Sequence, residues 1–294
     1  MVHEAGQTTT HDKDISLHPH LSWGRLLTGL LAVVMAVAGM VIGRQVKSRY
    51  PFEHNFHDKI DSPILALELS ASNDDLQEVL HTENPAQANS DPGVRKAIAC
   101  LRTSTYEDFF FIPLYTSFLW AFAVLLAGPD RRYAAYRRAI TGVAILVAAL
   151  DCAENFGILR ALDASILGPS TAQAICWPSR CKWSLFAAAL LITAGILVRS
   201  SNLFYSLATR RLLGLGYGAA AILMWIGLER PRFIELATNM FAVLTIINIV
   251  ALLGPYIEKE LLRARRPEYV DDFCDRKARM QADVAVFPSA PSGA

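Results

Sequence analysis

The sequence predicts an all-α polytopic transmembrane helical bundle of about six spans, with a small extracytoplasmic helical cap. Three observations predict it. The 294-residue chain is 53% hydrophobic and 19% charged, with mean hydropathy +0.29, whereas a soluble domain carries about 25% charge. The apolar residues gather into continuous runs of roughly 17–25, the length of a helix that crosses a bilayer. The runs do not alternate polar and apolar residues, which excludes the closed barrel, the other fold that satisfies its backbone in lipid.

The spans are taken in order. The first is Leu26 to Ile42, "LLTGLLAVVMAVAGMVI". Two readings of it stay open. Arg25 before it and "AVAG" within it resemble a signal peptide with its cleavage site. The long leader before it, and Arg44, Lys47 and Arg49 just after it, fit a retained helix. The others are Phe109 to Ala127, Ala139 to Leu162, Trp183 to Val198, Leu212 to Leu228 and Phe233 to Ile257.

Short basic loops set the orientation. Arg131, Arg132, Arg137 and Arg138 lie between spans two and three. Arg199, Arg210 and Arg211 lie between four and five, and Lys259, Arg263, Arg265 and Arg266 follow span six. These regions share a side, which places a multi-pass protein in the cell's inner membrane with both termini cytoplasmic. Residues 1–25 are then a cytoplasmic segment, 26–257 the bundle, 43–108 the outward cap, and 258–294 a charged cytoplasmic tail. The tail's first part prolongs the last helix, and its end, "FPSAPSGA", is expected to be disordered. The cap has its own helix signals: Ser62-Pro63 before "ILALELS", Asn73 before "DDLQEVL", and Asp91-Pro92 before a segment that runs into span two.

Five cysteines are too few for a disulfide scaffold. An outward loop between spans three and four holds Cys176 and Cys181, where a small-loop disulfide or two free thiols are the alternatives.

The residues that carry chemistry sit in span three, "AALDCAENFGIL". Asp151, Glu154 and Asn155 are spaced i, i+3, i+4, which puts them on one helix face. Polar groups at membrane depth are rare, face the protein interior and mark functional routes. Asp108 and Tyr115 on span two, Lys182 at the start of span four, and Glu235 and Asn239 on span six are expected at similar depth. Two competing roles stay open for Asp151 and Glu154. They lock helices by pairing with Arg160, Arg180 or Lys182. Alternatively they hold a proton, a cation or a polar head group, since two close carboxyls repel and one tends to keep its proton. Gly214 and Gly218 in "GLGYGAAA" read as a close-packing face.

All seven histidines lie outside spans two to six, which argues against a haem or a histidine-bound metal within the bundle. His54 and His57 are one turn apart with no further ligands beside them. No HExxH, GxSxG or phosphate loop occurs, so no cofactor and no metal site is expected. The net charge of +1 and the scattered basic residues give no footprint for nucleic acid. The expected partners are membrane lipids and a small cation or proton, and the oligomeric state is not set by the sequence.

As a set, "YEDFFFIPLYTSF", "LDCAENFGIL" and "KWSLF", with "PILALELS" upstream, resemble a loosely defined group of bacterial polytopic membrane proteins of uncharacterised activity. That group shares D-F-x-F-x-x-x-Y, D-x-x-E-N and K-[WF] motifs. The resemblance runs from about Pro63 to Phe186 and brings no activity with it. It implies a role for Asp108, Tyr115, Asp151, Glu154, Asn155 and Lys182.

The functional expectation is an outward-facing acidic site that binds a cation, proton or polar head group for transport or sensing. The alternatives are a membrane-embedded lipid-modifying enzyme that uses the carboxylates as acid and base, and a scaffold in which the polar residues join helices.

Overall fold

The computed structural model describes residues 19–52, 56, 60–86, 91–128, 133–199 and 206–265. The expectations for residues 1–18, His54 and His57, Arg131 and Arg132, and the tail beyond Arg265 lie outside the described residues. Six long helices make the bundle: α1 (Pro19–Arg49), α4 (Pro92–Ala127), α5 (Ala134–Leu162), α6 (Pro169–Arg199), α7 (Leu207–Gly227) and α8 (Arg232–Arg265). Two short ones, α2 (Pro63–Glu68) and α3 (Asn73–Leu80), make the cap. Among the described residues the extended structure is one bridge, Phe56 to Ile60. The chain is an all-α polytopic bundle.

Each long helix packs on its neighbour in chain order, and α8 closes back on α1. Neighbours run antiparallel. Gly24 and Gly39 of α1 face Leu125 and Phe111 of α4, and Gly214 and Gly218 of α7 face Val198 and Ala194 of α6. An even number of alternating helices closes a ring without a long crossover, so α1 begins and α8 finishes at the end opposite the cap. The first apolar run is thus one wall of the ring, with Ala32 and Met35 in its core.

Five of the six are long and apolar enough to cross a membrane. The other, α7, has 21 residues and spends part of its first turns on Arg210 and Arg211. It is wedged between α6 and α8 at its glycines. A Cβ on Gly214 would stand 2.7 Å from Val198, and one on Gly216 would stand 2.6 Å from Leu244.

The largest departure from the sequence expectation is in α6. It starts at Pro169, fourteen residues before the expected span, and absorbs the "CWPSRC" loop. Of the two alternatives for Cys176 and Cys181, the structure has free thiols rather than a disulfide. Five residues apart on one helix they are rotated by about 140°, too divergent to bridge. Pro178 inside α6 has no N–H for the carbonyl of Ala174. At that point α5 packs close through Gly157, where a Cβ would lie 2.9 Å from the Ala174 oxygen.

The cap is built by local signals. Ser62 caps α2 and Pro63 takes its first position, Ser72 and Asp75 form a capping box on α3, and Asp91 accepts from Gly93 and Val94 at the start of α4. Its apolar residues form a second core: Leu67, Leu76, Leu80, Ala97 and Leu101 are fully buried. Ile158, Ala161 and Ile175 join the same cluster from α5 and α6. His81, with φ 53°, ends α3 and packs on Phe52 in a tilted ring pair, 3.7 Å between centroids. Desolvation there pulls its imidazole below the ordinary histidine value.

Candidate functional site

Where α4, α5 and α6 meet beneath the cap, one lysine gathers the carboxylates. Lys182 Nζ lies 2.7 Å from Asp151 Oδ1, 2.9 Å from Glu154 Oε2 and 3.2 Å from Glu68 Oε2. Residue exposures of 6% for Lys182, 3% for Asp151 and 0% for Glu154 remove the group from solvent. Lys182 donates hydrogen bonds to Asp151 and Glu68. Glu154 Oε2 is within ion-pair distance but off the hydrogen-bond angle, and Oε1 meets no partner among the described residues. Tyr115 donates to the other oxygen of Asp151 at 2.5 Å, and Asn155 Nδ2 donates to Asp108 Oδ2 at 2.7 Å.

The i, i+3, i+4 spacing on α5 therefore works as expected. It turns Asp151 and Glu154 toward α6 and Asn155 toward α4. The three segments "YEDFFFIPLYTSF", "LDCAENFGIL" and "KWSLF" converge on this one place. The partner of the α5 carboxylates is Lys182, and Arg160 is exposed. Two expectations are altered. Lys182 lies in the middle of α6, not at its mouth. Glu235 stands apart from the cluster, because the first turn of α8 reaches the cap and its carboxylate accepts the backbone N–H of Asp61 at 3.1 Å.

Glu68 is the residue sequence reasoning missed. It stands alone among apolar residues in "PILALEL", on a helix too short to reveal a face. Pro63, Leu65, Ala66 and Leu67 are all buried with it. An acid that no part of a buried turn can expose is the signal that could have marked it.

Beside the cluster is a cavity of about 530 Å³. Glu68, Asp108, Tyr115, Asp151 and Lys182 form its polar end. Phe111, Trp183, Phe186 and Phe241 wall it, with Tyr115, in a chain of rings 5.3 to 6.2 Å apart. Met35, Ala36, Gly39 and Met40 line it from α1, and Thr238, Asn239, Ala242, Thr245 and Ile246 from α8. Asn239 is thus at the cavity as expected, though on its outer side. Met40 and Ile246 are 54% and 53% exposed, so the α1–α8 seam is where the cavity meets the outside of the ring. Trp183 keeps its indole N–H buried without a hydrogen-bond partner among the described residues. Among those residues no group of three or more His, Cys, Asp or Glu is placed to hold a metal. Lys182 stands where the carboxylates converge.

The chain matches no protein-family model, no curated protein and no solved structure.

Proposed function

We propose that this is a multi-pass membrane protein whose cavity binds the polar head of an amphiphilic molecule, admitted sideways through the α1–α8 seam. The observation that carries this is the shape and chemistry of the cavity. An aromatic chamber ends in carboxylates, a lysine and a tyrosine, and its mouth is lined by exposed apolar residues rather than by charge. Such a chamber matches a molecule with one polar end and one apolar body. The buried N–H of Trp183, without a partner among the described residues, leaves a donor in the wall for a ligand. A free metal ion is served less well, because the ammonium of Lys182 stands at the point it would need.

In this reading the cap faces outward and both termini lie in the cytoplasm. Arg137, Arg138, Arg199, Arg210 and Arg211 stand at the ring end away from the cap, which supports it. Cysteines placed at Asp74 in the cap and at Arg138 on the opposite end test the orientation. The first should react with an impermeant thiol reagent in intact cells and the second should not.

The binding role is tested on purified protein, by mass analysis of the amphiphile that it retains from its membrane. Ala36→Trp fills the chamber and should lose that molecule while the fold survives. Undiminished retention by Ala36→Trp overturns the proposal. The chain Tyr115–Asp151–Lys182 opens into the same cavity and favours acid–base work on the bound head as the second reading. Chemical change in the recovered molecule would select it.

A further inference from the structure

The binding role proposed above leaves the head group open, and two features of the cavity narrow it. The first is charge. Glu68, Asp151 and Glu154 surround the single ammonium of Lys182 and Asp108 is held beside them by Asn155, so acidic groups outnumber the one cation of the site. Two of these carboxylates line the cavity with an oxygen to spare. Asp108 accepts from Asn155 through Oδ2, Glu68 pairs with Lys182 through Oε2, and the second oxygen of each has no partner among the described residues. Glu68 is itself a buried residue. A carboxylate only accepts hydrogen bonds, so the matching head donates them. An anionic head would place a further acid group against these oxygens in a site of low dielectric.

The second feature is the wall next to those oxygens. Tyr115, Phe111 and Trp183 line the same chamber, and aromatic faces attract ammonium groups and tolerate an alkyl chain. Trp183 already carries Lys182 Nζ 5.0 Å from its ring centroid, so the wall accepts a cation in place.

We infer that the cavity takes an amphiphile with an ammonium head, its nitrogen against Asp108 and Glu68 and its chain along the aromatic wall toward the α1–α8 seam. This rests on the binding role proposed above. A membrane lipid with a terminal amine and a free long-chain amine share this chemistry.

The test uses the full chain in an uncharged maltoside micelle and three probes of equal chain length: dodecylammonium, dodecanol and dodecyl sulfate, each below its own micelle concentration. Quenching of intrinsic tryptophan fluorescence reports binding. Dodecylammonium should bind about tenfold more tightly than dodecanol, the value of one hydrogen bond to a charged partner. Dodecyl sulfate should bind most weakly. Asp108→Asn should erase the ammonium preference and leave dodecanol binding intact. Glu68→Gln, on a separate helix, repeats the test should the first variant fold poorly. Equal binding of all three probes, or tightest binding of the sulfate, overturns the ammonium assignment and leaves a bound amphiphile standing. Failure of every probe to bind overturns the binding role itself. Displacement of dodecylammonium by phosphatidylethanolamine assigns the ligand to the membrane, and lack of displacement assigns it to a soluble amine; both support the ammonium head.

Discussion

The two halves of the ring solve different problems with the same six helices. Away from the cap the interior is hydrocarbon. Phe118 stacks on Phe122, Tyr217 is fully buried, and the polar Asn248 is satisfied locally, donating to Tyr217 Oη and to the carbonyl of Leu244. There α1 and α8 touch so closely that a Cβ on Gly29 would sit 2.5 Å from Leu253. Under the cap the interior is ionic, and the same two helices line a cavity. The apolar half holds by shape and tolerates local adjustment. The ionic half holds only while Lys182 stands among its carboxylates, and that requirement joins the cap to the bundle through Glu68 and Lys182.

The sharpest way to break the comparison is Lys182→Met. The loss leaves Asp151 and Glu154 buried with no cation, and removing one partner of a buried ion pair costs about 3–5 kcal/mol. Thermal unfolding in detergent should show the largest drop of any single change in the chain. Lys182→Met combined with Asp151→Asn and Glu154→Gln should recover part of it. No recovery in the triple variant would mean that Lys182 acts by packing rather than charge. In the apolar half, Tyr217→Phe removes only one hydrogen bond to Asn248. Its cost should be roughly 1 kcal/mol, within the range seen between helices in membranes.

Glycines give the second contrast. A Cβ on Gly157 meets the backbone oxygen of Ala174, which cannot move without α6. A Cβ on Gly29 meets side-chain atoms alone, chiefly Leu253, which can rotate. Gly157→Ala should therefore cost about 1–3 kcal/mol by overpacking and pull Lys182 from Glu154, while Gly29→Ala costs less. Equal losses in the two variants, read as unfolding midpoints, would erase the difference claimed here between the halves.

Much of the fold was legible because lipid imposes length and apolarity on any helix that crosses it, and those are properties of a single stretch of chain. The site was legible where one helix carries several of its members: the spacing of Asp151, Glu154 and Asn155 announces a face before any partner is known. What stayed hidden depends on two helices at once. The stretch from Cys176 to Cys181 looks like a turn because Pro178 lacks an N–H, yet it continues as helix, and Gly157 of α5 packs at the carbonyl of Ala174. The sequence puts Glu235 at the depth of Asp151, whereas the start of α8 lies at the cap. Glu68 gained its role only when the cap folded over Lys182.

The smallest expected effect tests whether the cap also answers to charge at its outer edge. His81 ends α3 with a left-handed backbone and packs on Phe52, and desolvation lowers its imidazole below the ordinary value, near 6.5. The folded cap thus binds its proton less readily than the unfolded chain. As pH falls below about 6.5 the unfolded chain takes up the proton first, and stability declines until the folded value is passed. Hydrogen exchange in Asn73–Leu80 should be faster at pH 5.5 than at pH 7.5 after correction for intrinsic rates, by less than any substitution above. His81→Asn keeps a residue that tolerates the left-handed backbone and has no proton to gain, so the difference should disappear. A pH response that survives this change would place the sensitivity on a group other than His81.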